Sequence, residues 1–376
     1  MAILPSDFFR ILKNNKIEFF TGVPDSLLKS FCAYVEDNVT SQNHIITANE
    51  GSAIALSIGY HLSTGKLPLV YMQNSGLGNS INPLLSLADK KVYEIPMLLL
   101  IGWRGEPGIK DEPQHIRQGE VTRELLSSIK IDTFILDKDS DITSIDKIVK
   151  KSVVRSIPTA ILVRKNTFAV YKPKKRIDNS SLMNREESIH LIADMASAMN
   201  YSIISTTGVA SRELYEYRLN NDQTHKSDFL TVGGMGHASQ IALGIAMQKK
   251  KKNILCIDGD GAFLMHMGSI ALSGTSKLKN FKHIVINNGC HDSVGGQPTK
   301  AREININGVA KSVGYNVFSS CSNLDELKKE LDDFLESDGP SFLEVKTVPG
   351  FRDNLGRPKS SPLENKKCFI EHLLEK

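Results

Sequence analysis

Cysteine is scarce in this chain. Only Cys32, Cys256, Cys290, Cys321 and Cys368 occur in 376 residues. They are odd in number, far apart and form no CxxC pair. That argues against a disulfide framework or a zinc knuckle and fits a reducing cytoplasm. Long apolar runs are missing as well: no stretch approaches the roughly 18 uninterrupted apolar residues of a membrane span. The opening MAILPSDFFRILKNNK lacks a basic region followed by a long apolar run, so no secretory signal is expected. Charge of one sign is also lacking, with 46 Lys and Arg against 42 Asp and Glu and a net charge of +4. Such near-balance gives no general electrostatic case for a nucleic-acid or membrane partner. An anionic small molecule would need only a local basic cluster. Finally, the first candidate strand runs into TGVPDS rather than GxGxxG, which speaks against a nicotinamide oxidoreductase.

What is present is an ordinary globular balance, 40% hydrophobic and 23% charged. At roughly 100–200 residues per domain the length predicts two domains. Short β-rich runs alternate with longer amphipathic segments. Strands are expected at Ile17–Thr21, His44–Thr47, Leu69–Gln73, Met97–Ile101, Thr133–Leu136 and Thr159–Val163, with helices such as Ser26–Tyr34, Glu50–Leu62, Leu77–Ala88 and Thr143–Arg155 between them. Apolar periodicity stops over Tyr171–Arg185, a basic, proline-containing stretch that reads as a linker. The alternation then restarts. Strands are expected at Ser202–Ser205, Phe229–Val232, Ile254–Ile257, His283–Asn287 and Ser341–Val345, and helices at Glu186–Met199, Ala238–Gln248, Ala262–Lys277 and Leu324–Glu336. Continuous runs such as MLLLIG suit strands buried on both faces. The fold class is therefore α/β, two doubly wound parallel-sheet domains over 1–170 and 186–376, joined by 171–185.

In such sheets ligands bind beyond the carboxyl ends of strands. Two turns stand there in the second half. Strand Ile254–Ile257 runs into Asp258-Gly259-Asp260-Gly261 and a helix, and strand His283–Asn287 runs into Asn288-Gly289. A diphosphate approaching a backbone needs glycines such as Gly259 and Gly261, and free N–H groups at a helix N-terminus. Magnesium needs hard oxygen ligands. The Asp260 carboxylate, the Asn288 amide oxygen and the Cys290 carbonyl supply half of an octahedral shell. Taken alone, DGDG is an ordinary turn. A calcium loop would require Glu at the twelfth position, where Ser269 stands.

GDG followed by NN about one helix and one strand later resembles the signature of the thiamine diphosphate-dependent enzymes. The resemblance implies thiamine diphosphate and Mg2+ as cofactors. Domain 186–376 would be the diphosphate-binding domain and 1–170 the pyrimidine-binding domain, with no middle domain. It further implies a glutamate after a strand in the other domain, and Glu50, in ANEGSA, is that residue. Its carboxyl would hydrogen-bond N1′ of the aminopyrimidine and favour the imino tautomer that deprotonates the thiazolium. Without the resemblance, Glu50 reads as an acid in the first turn of a helix. TVGGMGHA resembles the family's G-x-(bulky)-G turn. Met235 would wedge the cofactor into its bent shape, and the Gly233 carbonyl would accept from the 4′-amino group.

The compact form, together with YMQNSGLGNSINPLLSLAD, LLIGWRGEPGIKDEPQHIRQG, SVGGQPT and LGRPKSSPLENK, resembles the branch of 2-oxo acid decarboxylases whose substrates carry a second anionic group. That group is a phosphonate or, in a sibling, a sulfonate; the phosphonate is the nearer match. A strand end presents Arg104, Lys110 and His115 in one loop, and Lys300 lies beyond the metal turn. Arg holds a phosphonate bidentately, whereas Lys acts as a point charge. Asn74 and Ser75 follow the third strand and are expected to line the pocket. Asp25 follows the first strand; it stands either as a proton donor near the reacting carbon or as a helix N-cap. His115 is a second proton-transfer candidate. The resemblance also implies a homo-oligomer, at least a dimer, with the active site between chains. Glu50, Asp260 and Asn288 occurring together argue against a non-catalytic cofactor-binding protein.

Overall fold

Apolar alternation along the strands decides the layering. In the computed structural model, which describes residues 1–174 and 181–375, Met97–Gly102 is wholly buried. Leu98 and Leu100 join one apolar cluster, while Met97, Leu99 and Ile101 join another. A strand side chain points to alternate faces, so this strand feeds a core on each side of its sheet. Each such fully buried Leu is worth about 1.5–3 kcal/mol.

The chain divides into two compact units, Met1–Arg176 and Ile177–Lys376. The first contains β1 (Phe20–Gly22), β2 (His44–Ile46), β3 (Leu69–Gln73), β4 (Met97–Gly102), β5 (Asp132–Leu136) and β6 (Pro158–Val163). They form a parallel sheet in the order β2-β1-β3-β4-β6-β5. The second contains β7 (Tyr201–Ser205), β8 (Asp228–Leu230), β9 (Asn253–Gly259), β10 (Phe281–Asn287), the small antiparallel pair β11 (Cys290–His291) and β12 (Gln297–Pro298), then β13 (Asn316–Val317) and β14 (Ser341–Lys346). Its parallel sheet runs β13-β14-β10-β9-β7-β8. Chain direction along the sheet reverses between β1 and β3 in one unit and between β7 and β9 in the other. Crevices at such switch points are where open α/β sheets bind ligands. The fold is the doubly wound α/β pair expected, with no middle domain.

Several boundaries differ from expectation for local reasons. The first strand begins at Phe20, because Lys16 takes a left-handed conformation after helix Pro5–Asn14. The expected helix Ala262–Lys277 is two pieces, Asp260–Met265 and Ile270–Thr275. It breaks where His266 leaves the helical region and stacks on His237 at 4.4 Å. The stretch expected as a linker is anchored at both ends. Tyr171 Oη donates to Asp37 at 2.9 Å and Met183 bridges to Thr347. Arg185 opens helix Arg185–Ala198 with its side chain buried; of the expected linker, residues 175–180 lie outside the described residues. Among the described residues no helix is long and apolar enough to cross a membrane. All five cysteines are free thiols.

Candidate active site

Glu50 is the first residue of helix Glu50–Thr64, which Asn49 caps by accepting the Ser52 N–H at 2.9 Å. That cap turns the chain directly after β2 and leaves Glu50 5% exposed. Oε2 accepts from the Asn79 amide at 2.8 Å. On its other side the carboxyl lies against Gly76, where a Cβ would stand only 2.4 Å from Oε1. A glycine and an amide thus hold the carboxyl in one place.

Asp25 follows β1 and is fully buried. Oδ2 accepts the Leu27 N–H at 2.9 Å, and Oδ1 has no partner. Both sequence readings therefore have a counterpart: one oxygen caps a turn, while the other is unspent. The helix itself starts only at Lys29. Burial pushes the Asp25 carboxyl up to about 6, against the opposing pull of the Leu27 N–H and Arg104. Gly102 makes room for it, since a Cβ there would lie 2.0 Å from Oδ2.

Arg104 stands just past β4. Nε and Nη2 donate to Asp111 at 2.8 and 2.5 Å, and Nη1 donates to Ser26 at 2.8 Å. Burial would raise the Asp111 carboxyl, but Arg104 and the Gly105 and Glu112 N–H groups overcome it and hold it well below the usual range. The guanidinium is thus held in a fork, and bonds to Asp111 and Ser26 use three of its five N–H donors. Asn74 does not face open space. It is 1% exposed, and its amide bonds the Arg104 carbonyl at 2.8 Å, the Arg104 N–H at 3.2 Å and Thr122 at 2.9 Å. It braces the Arg104 loop. Ser75 is half-buried and accepts from Gln73 at 2.6 Å. Lys110 is exposed, and His115 lies in the first turn of helix Pro113–Ser128 rather than in a loop.

In the second unit Asp260 opens helix Asp260–Met265 after β9 and is 3% exposed. Thr299 Oγ1 donates to its Oδ2 at 2.5 Å. Burial pushes this carboxyl up to about 7, with Thr299 and the Gly261 N–H working the other way. Asn288 Oδ1 accepts the Cys290 N–H at 3.1 Å, and Nδ2 donates to Asp292 at 2.7 Å. Cys290 is 4% exposed, and Lys300 is exposed and paired with Glu303 at 2.7 Å. Gly233 and Met235 lie in the turn before helix Ala238–Gln248. A Cβ on Gly261 would stand 3.2 Å from Met235 Cε and 2.8 Å from the His291 ring, so the GGMG and DGDG turns face each other across a glycine. Around Gly259 the nearest neighbour of such a Cβ is Thr206, at 3.8 Å.

These residues fit a metal-bound diphosphate. Asp260, Asp292 and Glu213 are three little-exposed carboxylates, and only Arg185 among the described residues pairs with any of them. A divalent cation would supply positive charge there. Gly259 and Gly261 leave the backbone approachable. Asp260, Asn288 and Cys290 offer a carboxylate, an amide oxygen and a carbonyl.

Comparison with known proteins agrees with this geometry. Residues 5–126 match the family described as "Thiamine pyrophosphate enzyme, N-terminal TPP binding domain", and residues 206–345 match "Thiamine pyrophosphate enzyme, C-terminal TPP binding domain". Phosphonopyruvate decarboxylase of Streptomyces viridochromogenes is 33% identical, covering 93% of this chain and 89% of that protein. The chain belongs to the thiamine diphosphate-dependent decarboxylases. Another member, phosphonopyruvate decarboxylase of Streptomyces hygroscopicus, is 32% identical over 99% of this chain and 94% of its own. Sulfopyruvate decarboxylase of Methanosarcina acetivorans is 26% identical over 96% of each. Within this decarboxylase the sequence reading missed Asn79, Gly76, Asp111, Thr299 and Arg185. The QNSGLGN segment carried a signal for two of them: glycines and amides crowd the turn after β3.

Proposed function

We propose that this decarboxylase converts 3-phosphonopyruvate to phosphonoacetaldehyde and CO2 without oxidation, in phosphonate biosynthesis. Full-length likeness to two proteins named phosphonopyruvate decarboxylase carries the reading. Thiamine diphosphate, when bound with Mg2+, supplies the electron sink that lets the carboxylate leave. The chain supplies orientation, charge and proton handling. Asp260, Asn288 and the Cys290 carbonyl would hold the Mg2+, with the Gly259 and Gly261 backbone beside the diphosphate. Met235 and the Gly233 carbonyl would orient the two rings. Glu50 would share a proton with N1′ of the aminopyrimidine; its buried position and its Asn79 bond support that role. Arg104, with two donors beyond those spent on Asp111 and Ser26, would take the phosphonate, together with Lys110, Lys300 and Ser75.

Asp25 is the better proton donor to the carbon that loses CO2. One of its oxygens is unspent, and its affinity for a proton is raised to about 6. His115 is the second candidate. We infer a homo-oligomer, at least a dimer, working in the cytoplasm, where its free thiols persist.

Release of CO2 with thiamine diphosphate and Mg2+ tests the assignment against phosphonopyruvate, sulfopyruvate and pyruvate. Phosphonopyruvate should turn over with the highest kcat/KM, and Glu50→Gln should nearly abolish it. A higher kcat/KM for sulfopyruvate would overturn the substrate assignment.

A further inference from the structure

Arg185 begins a helix in a stretch whose composition reads as solvated, yet it is 5% exposed. Nε and Nη2 donate to Glu213 at 2.9 and 3.0 Å, Nη2 also reaches the Gly350 carbonyl at 3.0 Å, and Nη1 donates to Asp292 Oδ2 at 2.5 Å. Asp292 in turn gathers the turn that follows β10. Its Oδ2 accepts from Asn288 Nδ2 at 2.7 Å, and its Oδ1 accepts from Cys290 Sγ at 3.0 Å and from the Gly350 N–H at 3.0 Å.

A carboxylate accepts and does not donate. Asn288 must therefore present its NH2 to Asp292 and turn its carbonyl oxygen the other way, where it accepts the Cys290 N–H at 3.1 Å and keeps a second lone pair. That oxygen is the atom asked to bind the metal. The same carboxylate holds the Cys290 side chain, so it also fixes the residue whose carbonyl is the third ligand. Buried ion pairs add little to stability once desolvation is counted, but they fix geometry, and breaking one leaves an uncompensated charge. Four donors converge on Asp292, and two come from the metal turn itself.

We propose that Asp292, held by Arg185, is a positioning clamp for the metal turn: it sets the direction of the Asn288 oxygen and the placement of Cys290, and so selects the smaller divalent cation. The proposal rests on reading Asn288 and Cys290 as metal ligands. Mg2+ demands near-octahedral oxygens at about 2.0–2.1 Å, whereas Ca2+ accepts flexible shells at about 2.3–2.6 Å. A loosened turn should therefore cost Mg2+ more than Ca2+. Groups that orient metal ligands are typically worth about 10–100-fold in metal affinity.

The test is calorimetric titration of the full chain, saturated with thiamine diphosphate, with Mg2+ and separately with Ca2+. In Asp292→Asn the Mg2+ Kd should rise about 10–100-fold, and the Mg2+ preference over Ca2+ should shrink. Arg185→Lys keeps a charge but loses the fork, and should show the same change at smaller amplitude. It carries the test if Asp292→Asn does not fold. A merely structural role would lower the melting temperature while leaving the Mg2+ to Ca2+ ratio within about twofold of wild type, and that result overturns the clamp. Undiminished Mg2+ affinity in Asn288→Ala would overturn the ligand reading and the clamp with it. Loss there, with full affinity retained in Asp292→Asn and Arg185→Lys, would overturn the clamp alone.

Discussion

Replacing Gly76 by alanine adds one carbon at the place where the Glu50 carboxyl is held. Gly76 has φ −69° and ψ −13°, an ordinary helical conformation, so alanine meets no backbone strain there. The consequence is contact alone. The added Cβ would lie 2.4 Å from Glu50 Oε1 and 2.6 Å from its Cδ. Carbon atoms rest at about 3.5–4.0 Å, so the carboxyl must retreat by about 1 Å. Glu50 is a flexible side chain and can do so, at the cost of its Asn79 bond, about 1 kcal/mol. Stability should therefore fall only slightly. Catalysis should fall much further, since a misplacement of about 1 Å is worth about a hundredfold in rate, or about 3 kcal/mol of barrier. Gly78 is the control two residues on. It lies inside helix Leu77–Pro83, and a Cβ there meets nothing within 4 Å. Gly78→Ala should raise stability by about 0.5–1 kcal/mol through helix propensity and leave kcat unchanged. The assay is kcat for CO2 release at saturating cofactor, Mg2+ and substrate, beside the melting temperature. If Gly76→Ala keeps kcat within about threefold of wild type, the carboxyl is not held where the chemistry needs it and the relay role of Glu50 fails.

Asp260→Ala should weaken Mg2+-dependent cofactor binding by about a hundredfold, the scale of one charged contact; unchanged affinity by calorimetry would remove the residue from the metal site. Asp25, raised to about 6 by burial against about 3.9 unfolded, keeps its proton in the folded state where the unfolded chain has lost it. Stability is then greatest below about pH 4 and falls as pH rises through 6, by about 3 kcal/mol in all. Asp25→Asn should lack that loss, so its stability relative to wild type, read by urea unfolding, should climb between pH 4 and 7.5; a pH-independent difference contradicts the raised value. Asp111→Asn should release the Arg104 fork and raise KM about tenfold with kcat within about threefold, as loss of a bidentate anchor predicts. An unaltered KM would show that Arg104 does not meet the substrate.

The readable part of the site was the part where chemistry demands particular residue types right after strands. Asp260, Asn288 and Glu50 fall there; the strands before Asp260 and Asn288 are buried on both faces and so read as continuous apolar runs, whereas the strand before Glu50 is a half-buried edge of three residues. The unreadable part lies where two distant segments meet. Arg104 looks like a free cation in WRGEPGIKDEP, and nothing in that string says the loop folds back until Asp111 meets the guanidinium in a fork. Asn74 looks like a pocket residue for the same reason, since its partners Arg104 and Thr122 come from other elements.

Arg185 is the sharper case. It ends YKPKKRIDNSSLMNR, and a run of five basic residues among polar ones reads as surface by composition alone. Its neighbours in sequence share that character; its neighbours in space, Glu213, Asp292 and Gly350, are 28, 107 and 165 residues away. Charge statistics report the average fate of a residue type, whereas burial of a guanidinium needs acids assembled around it from elsewhere. Where a basic segment directly precedes a helix, the first arginine of that helix is therefore the one to suspect. Its Cα direction is already fixed by the helix, and a side chain with a fixed start loses less freedom on reaching an acid than one in an unstructured run.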